Sequence, residues 1–167
     1  MSQDSIKIRQ PAFNISCTLT RPNDTTAYTA GDIINTGGAN KLPNFDFSTV
    51  CPPGTKLQIT GVQILDEFGT AATKLQANIH FFSEDTLTGF TPTDNVAFAP
   101  TFAEVSSKKL GSITGITSSA TFGPNAYVVT LNANFNFITQ TATDGKLYFA
   151  LCPANGYTPG AQKKLIV

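Results

Sequence analysis

The chain has 167 residues, the size of one ordinary domain, and its eleven basic and eleven acidic residues give a formal net charge of zero. This balance argues against a nucleic-acid partner, because phosphate binding needs a clustered positive surplus. Only 13% of the residues are charged, and no apolar run approaches the ~20 residues of a membrane span, so we also expect no membrane partner.

The first part of the chain predicts an arm followed by a strand. Residues 1–11 read as an N-terminal arm ahead of a single domain of residues 12–167. Ile6 and Ile8 alternate with polar residues, so the arm can reach a neighbouring molecule, although a frayed terminus fits equally well. The next apolar residues also alternate, which predicts a strand with one buried face: Phe13, Ile15, Cys17 and Leu19.

A corner follows this strand, because Pro22 has no N–H for a sheet and fixes its own φ angle. Gly31 is placed for a bulge or a positive-φ turn. Arg21, Tyr28 and Asp32 are the side chains that we single out here. In the structural interpretation Arg21 pairs with Asp24 or Asp32, and Tyr28 packs the corner with its hydroxyl bonded to backbone.

The middle of the chain predicts a bulged strand and a hairpin. Residues 57–59 and 62–64 alternate on opposite parities around Gly61, which is typical of a β-bulge. Residues 75–81 alternate cleanly and place Leu75, Ala77, Ile79 and Phe81 inward, so the two strands are expected to pair as a hairpin. His80 has the outward parity of its strand, and we expect its side chain to be solvated.

Residues 83–102 form a long segment that is too apolar for a free loop. Phe90 and Phe98 therefore either cover the core or meet a partner. A single helical turn is expected at residues 102–107. Residues 127–137 predict a strong strand whose outer asparagines, at 132, 134 and 136, fit either a wet face or an amide ladder for a partner or glycan. Short strands at residues 147–151 and 163–167 complete an all-β, jelly-roll-like antiparallel sandwich.

Residues that carry chemistry are sparse. His80 is the single histidine, so a His-based metal site or a Ser-His-Asp triad has little to draw on. The carboxylate pairs Asp66-Glu67 and Glu84-Asp85 lie in predicted turns. Three cysteines lack motif spacing, although Cys51 and Cys152 can approach one another. We therefore expect no catalytic residue, no metal and no cofactor, and interpret the chain as not an enzyme.

Four stretches resemble small β-sandwich decoration or cement proteins of tailed-phage virions. The sharpest is LTRP at residues 19–22 with TTAYTAGDI at residues 25–33. A middle strand at residues 57–65, a polar loop at residues 94–98 and a closing strand at residues 147–151 follow the same layout. The likeness covers most of the chain in layout, but only about a dozen residues match closely, so it is an analogy of pattern.

This resemblance implies a capsid decoration subunit on the outer surface of the virion, made in the cytoplasm of the host bacterium. Its partners would be the major capsid protein and further copies of itself, in a homotrimer or homodimer. The candidate interface and corner residues are then Arg21, Tyr28, Asp32, Phe90, Phe98, Ile6 and Ile8. The alternatives are a carbohydrate-binding or fibre-attachment module of the virion, which the absence of Trp disfavours, and a jelly-roll enzyme.

Overall fold

The computed structural model describes residues 12–23, 25–66, 75–116, 118–121, 127–130, 137–159 and 164–167. These residues are mostly β structure with antiparallel pairing, which confirms the all-β class. The elements in chain order are β1 (Thr18–Thr20), β2 (Asn44–Asp46), β3 (Lys56–Ile59), β4 (Gln63–Asp66), β5 (Ala77–Phe82), α1 (Phe102–Lys108), β6 (Lys109–Ile116), β7 (Ser118–Thr121), β8 (Tyr127–Thr130), β9 (Phe137–Gln140), β10 (Lys146–Pro153) and β11 (Lys164–Ile166).

The strands are arranged in three sheets. A five-stranded sheet has the order β1-β11-β4-β8-β7, a four-stranded sheet has the order β2-β10-β5-β6, and β3 pairs with β9. In the five-stranded sheet burial alternates along the strands: Leu19 and Ile64 are buried, while Thr18, Thr20 and Gln63 are exposed. This alternation is the ordinary consequence of one covered face.

The four-stranded sheet is covered on both faces. In β10 the odd-numbered residues pack into the main core, which also receives Leu19 and Ile64 from the five-stranded sheet. The even-numbered residues pack into a second apolar cluster on the opposite face. The two sets from β10 are Leu147, Phe149 and Leu151 in the main core, and Tyr148, Ala150 and Cys152 in the second cluster.

A layer of loop covers this second face, and we call residues 85–98 the loop layer. Main-chain bonds fasten it to residues 31–35. The N–H of Ile33 donates to the carbonyl of Val96 at 2.8 Å, and that of Phe98 donates to Gly31 at 2.9 Å. Ile34 donates in turn to Leu151 of β10 at 2.8 Å. Gly31 has a φ of +87°, so the predicted positive-φ corner is confirmed.

Two predictions of pairing are wrong. Gly61 does not form a bulge within one strand, because β3 pairs with β9 while β4 lies in the five-stranded sheet between β11 and β8. The strands β4 and β5 do not form a hairpin, since β5 pairs with β10 and β6. Alternation shows that a strand exists and which of its faces is apolar, but it carries no information about the partner.

The predicted strand at residues 127–137 divides between two sheets. Its start is β8 in the five-stranded sheet, and its last residue begins β9, which pairs with β3. The asparagines of the expected amide ladder fall in residues 131–136, outside the described residues. The arm with Ile6 and Ile8, in residues 1–11, lies outside them as well.

Candidate functional site

Arg21 forms a buried cluster with Tyr157 and Asp66. Its Nη1 donates to the Tyr157 hydroxyl at 2.5 Å, and that hydroxyl donates to Asp66 Oδ2 at 2.5 Å. Nη2 lies 3.6 Å from Asp66 Oδ1, and both side chains are almost fully buried. Burial and the nearby Asp66 charge raise the pKa of Tyr157 well above its ordinary value, so the phenol remains protonated and donates.

A second polar cluster lies beside the first. The Tyr28 hydroxyl donates to the Asp94 carboxylate, with oxygens at 2.7 and 2.8 Å, and Asp94 also accepts from the Asn35 backbone N–H at 2.7 Å. The Tyr28 and Tyr157 rings are 5.9 Å apart, and their backbones exchange two hydrogen bonds. The two clusters therefore fasten the corner, the loop layer and the five-stranded sheet together.

The corner residues are structural rather than surface contacts. Arg21, Tyr28 and Asp32 expose only 2%, 3% and 8% of their surface, which removes them as contacts for a partner. Arg21 pairs with Asp66, not with Asp32. The expected alternative, Asp24, lies outside the described residues. Asp32 instead holds a tight turn, since its Oδ2 accepts from the backbone N–H and the hydroxyl of Thr29 at 2.6 and 2.8 Å.

The Tyr28 hydroxyl also differs from the expectation, because it binds a carboxylate rather than a backbone group. Neither Asp66 nor Asp94 could be assigned to these tyrosines from the sequence. The partners are separated by 91 and 66 residues, respectively, and no local pattern links them.

Phe90 and Phe98 belong to an aromatic group over the four-stranded sheet. Phe98 packs edge-on against Phe82 and Phe90, with centroid distances of 5.9 and 5.4 Å, and stacks on His80 at 5.5 Å. Both phenylalanines are half-buried against the second cluster. The core-covering interpretation of this segment therefore holds, and part of each ring remains accessible.

His80 is not solvated as expected, because Phe98 covers its ring. Its Nδ1 lies 2.7 Å from the Ser112 hydroxyl, its register partner on β6. Burial, together with the charge of Lys109, lowers the pKa of His80 to about 4, so the ring is neutral at pH 7. A His–Ser contact suggests a nucleophile and its base, but it follows here from cross-strand pairing.

The largest exposed apolar side chain among the described residues is Phe102, at the start of α1. It is 87% exposed, and Val96 in the loop layer is 44% exposed. Thr101, the N-cap of α1, lies beside Gly89, whose added Cβ would be 3.9 Å from the Thr101 methyl. Phe102 thus lies in the same region as Phe90. We call Val96 and Phe102, with the accessible parts of Phe90 and Phe98, the loop-side patch.

Sequence reasoning placed Phe102 in the apolar segment but did not select it as a contact residue. The signal was available, since a phenylalanine directly after a Thr N-cap begins a short helix and has little of the helix to pack against. The predicted helical turn is confirmed as α1.

An open pocket of about 200 Å³ lies between the loop layer and the turn before β10, and its lining includes three carboxylates. All three have partners. Glu84 pairs with Lys108 at 3.0 Å, Asp85 pairs with Lys41 at 2.6 Å, and Asp144 accepts from the Tyr148 hydroxyl. The pocket is therefore a polar depression with its charges already compensated.

Other sites for chemistry are sparse in the part of the chain that the structure describes. The three thiols are free, so Cys51 and Cys152 do not form the bridge that the sequence allowed. Burial raises the pKa of Cys152 to about 12, which leaves its thiol protonated. Within the described ranges no group of three His, Cys, Asp or Glu side chains can hold a metal ion. No described helix is long and apolar enough to cross a membrane.

Comparisons with family models, curated proteins and solved structures found no match to this chain.

Proposed function

We propose that this chain is a structural subunit of a phage virion, a cement or decoration protein that binds the outer surface of the major capsid protein shell. The observation that carries the proposal is the loop-side patch, where Phe102 holds a large apolar ring in solvent. A partner that buries such a ring gains binding energy, and exposed aromatic residues are common anchors of protein interfaces.

The proposed architecture is a jelly-roll-like sandwich. The five-stranded and four-stranded sheets both contribute to one main core, as the inner faces of a sandwich do. The loop layer then forms an outer covering on one sheet only. In this arrangement Phe90 and Phe98 support the patch from below, while Val96 and Phe102 make the contact.

The proposed mechanism is clamping without catalysis. A subunit that binds the assembled shell and not its separate capsomers stabilises the assembled state by mass action. Many copies on one particle add avidity, so each contact can remain modest. Low charge fits this role, because a surface with few charges loses little solvation when it is buried against protein.

Mass spectrometry of purified virions tests the role directly, and we expect to find this chain in the particle. Its absence from the particle would remove the proposal. The patch is tested by binding to emptied shells: Phe102→Ser should weaken binding by about 2 kcal/mol, roughly thirtyfold. Phe13→Ser is the matched control, since Phe13 is 41% exposed but lies outside the patch. Equal binding by both variants would show that another surface meets the shell.

The alternative is a carbohydrate-binding or fibre-attachment module of the virion, and the polar pocket beside Tyr148 favours it. Its hydroxyl and carboxylate groups match the partners that sugars use. Its carboxylates are already paired, however, and Tyr148 is 7% exposed, so it offers little ring for stacking. A glycan array without binding would exclude this alternative.

A further inference from the structure

We propose that the outer face of the five-stranded sheet is a docking surface for a second copy of this chain. The inference deepens the homo-oligomeric part of the proposed function and rests on that part alone. It starts from the register of the sheet, in which one row of residues crosses all five strands. In order across the sheet the row is Thr18, Ile166, Leu65, Val128 and Ala120.

The row is apolar where a solvated face should be polar. Residues that oppose one another across antiparallel strands share a face of the sheet. Leu65 is 37% exposed and Thr18 is exposed, while their neighbours Ile64 and Leu19 are buried. This row therefore belongs to the face opposite the main core. A strip of aliphatic residues along an exposed sheet face is typical of an interaction surface.

The residues on either side of the row are polar. On one side Gln63 opposes Thr130, and on the other Thr20 opposes Lys164. A face built as polar, apolar and polar rows is self-complementary. A two-fold axis along the central row superposes that row on itself and places the Gln63 side of one copy against the Lys164 side of the other.

Charge also favours a second copy over a differently charged partner. Lys164 is the charged residue among those named in these three rows, and it lies off the central row. The two-fold arrangement brings it opposite uncharged Gln63 and Thr130 rather than opposite itself. The formal net charge of the chain is zero, so copies approach without long-range repulsion.

The size of the face sets the expected strength. Five strands at a spacing of about 4.8 Å span about 19 Å, and three rows span about 14 Å. The resulting area is on the order of 300 Å² on each copy, well below the ~800 Å² of a standard stable interface. We therefore expect weak association, which becomes complete when many copies are concentrated on one surface.

Sedimentation equilibrium of the full chain up to about 1 mM tests the inference, because weak protein contacts have dissociation constants in this range. We expect the wild type to self-associate and Leu65→Lys to raise the dissociation constant at least tenfold. Thr114→Lys is the matched control. It adds the same charge at an exposed position of β6 in the other sheet, and it should associate like the wild type.

Three results would overturn the inference: a wild type that stays monomeric throughout this range, Leu65→Lys associating like the wild type, or Thr114→Lys weakening it equally. Circular dichroism checks the fold, and Gln63→Lys on the same face replaces Leu65→Lys if that variant is unfolded. Binding to emptied shells separates the two proposals. Shell binding that depends on Leu65 in a chain that never self-associates would assign this face to the capsid instead.

Discussion

The four-stranded and five-stranded sheets share antiparallel pairing but differ in how many of their faces are covered. In β10 of the four-stranded sheet every residue after Lys146 is buried, from Leu147 to Pro153. In β4 of the five-stranded sheet, burial alternates strictly. The first sheet has the main core on one side and the loop layer on the other, whereas the second has only the main core.

This difference separates two tasks. A sheet covered on both faces has its strands fixed by apolar contacts above and below, so it serves as the rigid centre. A sheet with one open face keeps its outer residues available to another molecule. The apolar row through Leu65 lies on the open face, and the loop-side patch lies on the outside of the covered one. The two candidate contact surfaces therefore lie on different structural layers.

The largest expected effect tests the covered sheet at its centre. Phe149 is fully buried in β10 and stacks on Phe45 at 4.6 Å. Phe149→Ala should lower the free energy of unfolding by about 3–5 kcal/mol, because the ring leaves a cavity. Leu65→Ala on the open face should cost less than about 1 kcal/mol, since the side chain is already partly in water. Urea denaturation of dilute protein measures both, and similar costs would mean that the open face is covered after all.

A somewhat smaller effect tests the charged cluster on the inner side of the open sheet. Arg21→Met should destabilise the fold by about 3 kcal/mol, because it removes the cation from a buried pair with Asp66. Lys41→Met removes the cation of the exposed pair with Asp85 and should cost under about 1 kcal/mol. Thermal or urea unfolding of both variants at pH 7 gives the comparison. A negligible cost for Arg21→Met would show that the buried pair contributes specificity rather than stability.

The smallest effect uses pH and the covered face. The pKa of His80 is lowered to about 4 in the folded chain, against an ordinary value near 6.5. Between these values the unfolded chain binds the additional proton, so stability falls as the pH drops from 6.5 towards 4 and is unaffected by this group above 6.5. Screening of the half-buried ring limits the loss to about 1–2 kcal/mol.

His80→Gln should remove this part of the pH dependence and leave the rest. Unfolding free energies of both proteins at pH 7.0 and 4.5 give the difference directly. An unchanged pH dependence in the variant would mean that the ring is open to solvent, and that the loop layer does not cover it in solution.

The sequence predicted the strands best where burial is simplest. Leu75, Ala77, Ile79 and Phe81 are all buried as their alternation indicated, and the strand predicted at residues 147–151 is β10. The end of the chain forms β11, as its β-rich composition suggested. These results depend on local periodicity, which a single sequence contains.

The candidate site was harder, because its contacts join distant residues. Arg21 was singled out, but its partners are Asp66 and Tyr157, far along the chain. Phe98 carried two interpretations that local pattern could not separate, and only the covered second face decides that it packs on His80. The row through Leu65 was invisible for the same reason, since it exists only once five strands are in register.

The fastening of the loop layer has a consequence for engineering. Its path is held by main-chain bonds from residues 31–35, which do not depend on side-chain identity. Between these anchor points Thr88 and Gly89 form an exposed turn, closed by the Phe90 N–H donating to the Leu87 carbonyl at 3.1 Å. A foreign epitope grafted into that turn would be presented outward while its two stems stay in place. On a particle with many subunits, this turn is the natural position for dense peptide display.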